Sequence, residues 1–232
     1  PLLNKEDGWC IARAASSPRR TRGRSKTGLC GIPNSLWPSL AGHPPTAALL
    51  DALGARFLVS VGTDRRPVSG DFAVTHLFSI DESHLYVVLE CPVAGENPEI
   101  DSITPLIPGA AWSEREIRDV VGVSTRGHPD PRRLLLPDDW PEGVYPLRRD
   151  FPYNERPPAA EGTRPAWAPT PEGASVVTLG PFFPVLEEPS NWRLFVEGET
   201  VVGCDYRGFY NHRGVEKLGD SVMTYNEIPY LA

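Results

Sequence analysis

Closely spaced prolines in the middle of the chain restrict its fold more than any other feature. Within residues 129–141 they stand at Pro129, Pro131, Pro137 and Pro141. Because proline lacks a backbone N–H and its ring clashes with a preceding helical turn, this stretch forms neither a regular helix nor a central strand. The sequence therefore predicts an extended segment that runs over a surface.

A short amphipathic helix is predicted immediately before these prolines. Ser113 and Glu116 have the spacing of a capping box, so the helix is expected to begin at Ser113. Gly122 supplies a stop. The apolar stripe between them consists of Ile117, Val120 and Val121. Two ion pairs at i,i+4 spacing are expected on the polar face, Glu114 with Arg118 and Arg115 with Asp119.

The first forty residues differ in composition from the rest of the chain. Residues 1–40 carry seven basic and two acidic residues, whereas the remainder carries 16 basic and 28 acidic residues. Since residues 1–40 contain few core-forming side chains, we expect them to be disordered or foreign to the domain. The acidic remainder argues against nucleic acid as a partner. No stretch approaches the roughly 18 to 20 apolar residues that a membrane-spanning helix needs.

Residues 41–152 are expected to form one α+β domain. A short helix closed by Gly54 comes first. Residues 72–80 and 85–91 then have strand composition and are separated by a polar turn, which predicts an antiparallel hairpin. With the helix at Ser113, these elements predict a small sheet packed on helices.

A linker and a second unit follow. Residues 153–171 are rich in Pro, Ala, Glu and Gly and contain too few apolar side chains for a core. Residues 172–232 begin with a strand that ends at Gly180-Pro181. A hairpin turning at Glu197-Gly198-Glu199 comes next and leads into helical sequence.

The cysteine positions indicate no metal site. The four cysteines, at positions 10, 30, 91 and 204, form no CxxC pair, so we expect isolated thiols and no metal held by them. The phosphate-binding patterns GxGxxG and GxxxxGK[ST] are also missing, which argues against nucleotide binding.

The run from Glu114 to Leu135 resembles the signature of the 30 kDa subunit of NADH:quinone oxidoreductase, respiratory complex I, and of its counterpart in membrane-bound [NiFe] hydrogenases. The resemblance continues to Pro152 and implies a small sheet packed on helices, without a catalytic constellation of its own. We expect its polar positions to dock partner subunits, although Arg132 and Arg133 would by composition be a solvated pair. These positions are Glu114, Arg115, Glu116, Asp119, His128, Arg132 and Arg133.

The second unit resembles the N-terminus of the large subunit of the same superfamily, which reduces quinone in complex I and binds nickel in hydrogenases. The segments that carry this resemblance are GPxxP at 180–184, RLFVEGETVV at 193–202, DYRGFYNHRGVEKL at 205–218 and TYNEI at 224–228. His212 and Glu216 are the signature positions within it. The chain is therefore expected to be a fused small and large subunit that is cut short.

Three positions have roles that the resemblance implies, and of these only Glu188 bears on the branch of the superfamily. Glu188, before Pro189, resembles a glutamate that relays protons to nickel in hydrogenases, whereas by itself it would be a turn carboxylate. Arg213 corresponds to an arginine beside the proximal iron–sulfur cluster of a partner subunit, and by composition it is a helix-end arginine. Phe183 replaces a histidine that contacts quinone in complex I.

The resemblance implies a subunit of a membrane-associated, energy-converting [NiFe] hydrogenase, closest to the formate-hydrogenlyase type. The alternatives are a fused subunit of NADH:quinone oxidoreductase and a docking module without activity of its own. No cofactor is expected on this chain. The full complex would carry a nickel–iron site, or quinone, with 4Fe-4S clusters in partner subunits. Those partners would include an iron–sulfur small subunit and membrane subunits, and the chain would lie peripherally on the cytoplasmic face of the inner or plasma membrane.

Overall fold

The computed structural model describes residues 11–16, 43–161, 166–182 and 188–231. These residues form an α+β structure with three small sheets and four α-helices, as the sequence predicts for the fold class. The helices are α1 (His43–Ala52), α2 (Arg66–Ser69), α3 (Ala111–Val120) and α4 (Val215–Ser221). Contacts divide the chain into a first unit, Pro1–Pro131, and a second unit, Arg132–Ala232.

The first unit is built on a four-stranded antiparallel sheet. Its strands, in spatial order, are β1 (Ile11–Ser16), β4 (Leu85–Ala94), β3 (Asp71–Ile80) and β2 (Arg56–Asp64). The predicted hairpin is confirmed, because β3 and β4 pair from Ile80↔Leu85 outwards around a 3-10 turn at Asp81–Ser83. Strand β2, which the sequence pattern did not reveal, pairs with β3 and contains an irregularity between Phe57 and Val59.

Strand β1 lies within the segment that was expected to be disordered. The structure differs from that expectation at Ile11–Ser16, which pairs antiparallel with β4 from Ile11↔Glu90 to Ser16↔Leu85. The physical reason is that β4 would otherwise be an edge strand with unpaired backbone groups, which can bind any nearby extended segment. The other residues of 1–40 lie outside the described residues.

Helix α1 closes one end of the sheet over an apolar core. The predicted stop at Gly54 is confirmed, with φ of 72° and its N–H bonded to the Asp51 carbonyl. Burial of each large side chain in this core contributes about 1.5 to 3 kcal/mol. The core consists of Ala47, Leu50, Ala55, Phe78, Val87, Ile103, Ile107 and Ala110.

Helix α3 begins earlier than its capping box predicts. It runs from Ala111 to Val120, its N-cap is Ala110 and no side chain caps it, so the predicted start at Ser113 is wrong. A 3-10 turn at Pro108–Ala110 already bends the chain into helical geometry, which leaves Ser113 inside the first turn. The predicted stop is confirmed, since Gly122 has φ of 78° and donates to the Ile117 carbonyl at 3.1 Å.

The predicted apolar stripe of α3 is also confirmed, because Ile117, Val120 and Val121 are all buried. Strand β2 passes very close to it. A Cβ placed on Gly62 would lie 2.9 Å from Ile117 Cγ2, so glycine permits this approach of strand and helix. Two short parallel strands, β5 (Glu99–Asp101) and β6 (Ser124–Arg126), lie on either side of α3 in sequence.

The proline-rich residues 129–141 form neither a helix nor a strand, as predicted, but they bend repeatedly instead of running extended, and the Trp140 amide donates to the Pro137 carbonyl at 3.0 Å. Among the described residues between Arg126 and Ser175 there is neither a helix nor a strand. The second unit then forms the three-stranded antiparallel sheet β7-β8-β9, followed by α4 and a 3-10 turn at Ile228–Tyr230. Its strands are β7 (Ser175–Leu179), β8 (Asn191–Glu197) and β9 (Thr200–Arg207). The predicted strand and hairpin are thus confirmed.

The cysteines differ in their chemical state. Cys91 is disulfide-bonded, with its partner outside the described residues, whereas Cys204 is a free thiol. The expectation of isolated thiols is therefore wrong at Cys91, because sequence spacing does not reveal which cysteines meet in space. Among the described residues, none of the helices has the length and apolar character needed to cross a membrane.

Candidate functional site

The carboxylate of Glu114 is a buried group that accepts three hydrogen bonds at the start of α3. Its residue is only 1% exposed. Oε2 accepts hydrogen bonds from Ser102 Oγ at 2.5 Å and Thr104 Oγ1 at 2.7 Å, while Oε1 accepts from the Ile103 amide at 2.8 Å. Glu114 therefore ties the first turn of α3 to the loop that follows β5, instead of pairing with Arg118 as predicted.

His128 lies against the same carboxylate. Its Nε2 lies 3.1 Å from the Ala111 carbonyl, and its Nδ1 accepts from the Asp130 amide at 3.0 Å. These two partners require the neutral imidazole with its proton on Nε2. Nε2 is also 3.9 Å from Glu114 Oε2, and both side chains are 2% exposed.

The remaining signature positions of α3 also contact their own unit. Arg115 Nη1 lies 3.3 Å from Asp130 Oδ2, and Arg118 donates to the Pro131 carbonyl. Asp119 is buried, whereas Glu116 is partly exposed. The observed contacts of Glu114 and Arg115 thus fix the helix inside the unit, and the docking role of these positions stays a prediction.

In the second unit, the acidic centre is Asp205 on β9, which is 3% exposed. Arg132 Nη1 donates to both of its oxygens, at 3.0 and 3.1 Å, and the Ala168 amide donates to Oδ2 at 2.7 Å. Arg132 also donates to the Ala166 carbonyl, and Arg133 donates to the Trp140 carbonyl. The two predicted docking arginines are therefore bonded within their own unit.

The turn before α4 presents the second group of signature residues to solvent. His212, Arg213 and Glu216 are all exposed. Desolvation of its imidazole lowers the pKa of His212 below its usual value, and the nearby charge of Glu216 partly opposes this shift. Lys217, by contrast, is buried, and its Nζ donates to the Arg148 carbonyl at 2.9 Å. The predicted cationic residue Arg213 is thus an accessible charge just before a helix that is anchored through Lys217.

Glu188 is an exposed carboxylate beside an aromatic pair. The rings of Trp192 and Tyr206 lie 4.5 Å apart, and Trp192 Nε1 donates to Ser190 Oγ at 3.0 Å. Burial raises the pKa of Tyr206, and the negative charge of Glu188 adds to that rise. Phe183 and Glu187 lie outside the described residues, so the structure gives no geometry for them.

Within the first unit, the structure brings together Glu114 and His128. Within the second unit, Arg132 is bonded to Asp205, which was not a predicted site residue, while His212, Arg213 and Glu216 are exposed. No cluster of three or more metal-ligating side chains occurs in the described part of the chain. Sequence reasoning missed Asp205 and Lys217 as contact residues. The available signal for Asp205 was its charge opposite to that of Arg132, whereas Lys217 donates to a backbone carbonyl, which no side-chain pattern reveals.

Comparison with known proteins places these features in a family. Residues 42–157 match the family model described as respiratory-chain NADH dehydrogenase, 30 Kd subunit. Formate hydrogenlyase subunit 5 of Escherichia coli K12 is 39% identical over 194 residues, which cover 77% of this chain and 32% of that protein. Hydrogenase-4 component G of the same strain is 43% identical over 178 residues, covering 75% and 32% respectively.

A second group of relatives is more distant. The C/D subunit of NADH-quinone oxidoreductase from Methylococcus capsulatus Bath is 29% identical over 205 residues, which cover 80% of this chain and 34% of that protein. The chain thus spans about a third of the length of the curated relatives that it matches. The family match covers the α3 signature and the proline-rich segment, and on this evidence the chain belongs to the family of the respiratory-chain NADH dehydrogenase 30 kDa subunit.

Proposed function

We propose that this chain is the small-subunit domain and the start of the large subunit of a complex I-like, energy-converting [NiFe] hydrogenase of the formate-hydrogenlyase type. The observation that supports this assignment is that the hydrogenase relatives have higher sequence identity to this chain than the NADH-quinone oxidoreductase relative. The two hydrogenase relatives are 39% and 43% identical, whereas the NADH-quinone oxidoreductase relative from Methylococcus capsulatus is 29% identical over a similar length.

In this assignment, Glu188 is a proton relay. Its carboxylate is exposed, and no hydrogen bond or ion pair with another described residue holds it in one orientation. Its negative charge acts on Tyr206, whose ring is tilted by 56° against that of Trp192 at a centroid distance of 4.5 Å. A carboxylate that is held near a surface but free to reorient can accept a proton on one side and release it on the other.

Arg213 is the residue that we assign to electron transfer. Its guanidinium is exposed at the turn before α4, where it is free to approach a cluster held by a partner subunit. A fixed positive charge beside a proximal 4Fe-4S cluster would favour the reduced cluster by Coulomb attraction. The buried Lys217 anchors the helix that follows Arg213 and would thereby keep this charge in place.

The complete complex would supply what this chain does not hold. We propose that a nickel–iron site lies in a longer large subunit, and that the 4Fe-4S clusters belong to an iron–sulfur small subunit. Membrane subunits would hold the assembly on the cytoplasmic face of the membrane, where this chain would be peripheral.

A fused subunit of a quinone-reducing complex is the second candidate, supported by the NADH-quinone oxidoreductase relatives. The coding sequence after residue 232 tests the choice. The hydrogenase proposal predicts an R-x-C-G-x-C motif within about ten residues, because soft thiolates are the ligands that a nickel–iron centre needs. If both cysteine positions in the continuing gene encode aspartate or another residue without a thiol, quinone reduction is the better assignment.

A docking module without activity is the third candidate. Purification of the complex from cells that express the full-length gene tests it, with hydrogen production as the readout. A complex that assembles, carries nickel and produces hydrogen supports the first proposal. A complex that assembles around this subunit without nickel or quinone reduction would support a docking role.

A further inference from the structure

The last part of the predicted domain 41–152 contacts β9 and α4 through its side chains and carbonyl groups. We call residues 132–151 the arm, which contains neither helix nor strand. Because no ladder of backbone hydrogen bonds positions it, its place in the second unit depends on individual contacts. The contacts that join the arm to β9 or α4 include Arg132–Asp205, Asp138–Arg207, Arg148–Lys217 and Arg149–Asp220.

The two contacts with β9 are shielded ion pairs. Asp205 is 3% exposed and receives both arginine bonds from Arg132. Arg207 Nη1 lies 2.8 Å from Asp138, with side chains that are 18% and 17% exposed. Charge-assisted hydrogen bonds of this kind are roughly twice as strong as neutral ones. They fix both the position and the direction of the arm along the strand.

The contacts with α4 differ in strength. Lys217 is 6% exposed, and its ammonium donates to the Arg148 carbonyl, so loss of that bond would leave a buried charge without its partner. Arg149 and Asp220 are about half exposed and lie 3.5 Å apart, which makes their pair a minor contributor. The arm is therefore bound by β9 near its first residues and by α4 near its last residues.

By sequence the arm belongs to the 30 kDa family match, whereas by its contacts it belongs to the second unit. The 30 kDa family match extends to residue 157, yet the arm is grouped with the unit that begins at Arg132. We infer that the arm is the docking element by which the 30 kDa family part of the chain holds the part that begins with β7. The two parts should therefore stay associated when the polypeptide between them is cut, whichever reaction the full complex catalyses.

A cleavable full chain tests this inference. A protease site is inserted between Glu161 and Ala166, the folded protein is cut, and the products are separated by size-exclusion chromatography under native conditions. We expect the two pieces to elute together. Separate elution of the pieces from the cut wild-type chain would overturn the inference.

Exchange of the two charges in the Asp138–Arg207 pair tests whether the arm is responsible for the association of the two pieces. Arg207→Asp should speed dissociation of the cut pieces at least tenfold, because it places two carboxylates against each other. The double variant Asp138→Arg/Arg207→Asp restores opposite charges and should bring dissociation back toward the wild-type rate. Arg126→Asp is the matched control, since it breaks an exposed arginine pair with Asp101 in the first unit and should leave association unchanged.

The controls keep the test decisive if a single variant misfolds. Circular dichroism of each uncut chain reports whether it folds. If Arg207→Asp unfolds before cleavage, the comparison moves to Asp138→Asn, which removes one charge of the shielded pair without placing two carboxylates together and should also speed dissociation. Unchanged dissociation in a folded Arg207→Asp chain, or a double variant no better than the single one, would show that the arm does not hold the two parts together.

Discussion

Replacement of Glu114 should loosen the first unit far more than replacement of any exposed carboxylate. The Glu114 carboxylate accepts three hydrogen bonds, from Ser102, Ile103 and Thr104, and is 1% exposed. Glu114→Ala removes the acceptor for all three donors. Because the site is buried, water does not replace the lost acceptor. The Ile103 amide has no freedom to find another acceptor, whereas the two hydroxyls can rotate.

The magnitude follows from these bonds. Hydrogen bonds to a charged group contribute about 1.5 to 3 kcal/mol each, and rotation of the hydroxyls recovers part of the loss, so Glu114→Ala should cost about 3 to 5 kcal/mol. Glu114→Gln keeps the size and one good acceptor, and its NH₂ can donate to a rotated hydroxyl. We therefore expect a smaller cost of about 1 to 2 kcal/mol for the glutamine variant.

Hydrogen exchange of the α3 and β5 peptides, read by mass spectrometry, measures this cost locally. A loss of about 3 kcal/mol or more corresponds to exchange that is roughly 10²-fold faster or more for amides that exchange through opening of this region. Glu82→Ala is the control, because Glu82 is exposed in the turn between β3 and β4. The reasoning would be refuted if Glu114→Ala changed exchange no more than Glu82→Ala, or if glutamine were as harmful as alanine.

Two further outcomes are expected. In the assembled enzyme, Glu188→Gln should lower hydrogen turnover by roughly 10² or more without loss of assembly, the usual scale for a positioned acid–base group. Glu199→Gln, in the exposed hairpin turn, is its control, and equal turnover in both variants would return Glu188 to a structural role. Arg56 hydrogen-bonds Asp81 and holds the pKa of Asp81 at about 2, so this pair stabilises the fold above pH 3.8 and stops doing so as pH falls through 2. NMR titration of Arg56→Ala should show the Asp81 pKa rising toward 3.8, and an unchanged value would exclude Arg56 as the cause.

Local patterns predicted the regular elements well. The β3–β4 hairpin follows from two runs of strand-forming residues around a polar turn, and Gly122 ends α3 because its positive φ suits a helix stop. The capping box failed because a turn upstream of Ser113 had already started the helix. A motif of four residues cannot report on the chain that precedes it.

The site contacts were harder to predict, since they join residues that are distant in sequence. Composition alone made Arg132 a solvated charge, and only the fold brings it to Asp205. Glu114 has the spacing of a surface ion pair, yet its partners are supplied by a loop that the helical pattern does not include. Burial and partner identity depend on tertiary packing, which residue spacing along one helix does not encode.

The bond between Arg132 and Asp205 closes a loop of 73 residues. The entropy of closing a flexible loop rises only with the logarithm of its length, so that doubling the length costs about 0.6 kcal/mol. A surface insertion in the linker would thus weaken the closure far less than loss of either charged side chain. Such an insertion would have to precede Ala166, because Ala166 and Ala168 of the linker are themselves bonded to Arg132 and Asp205.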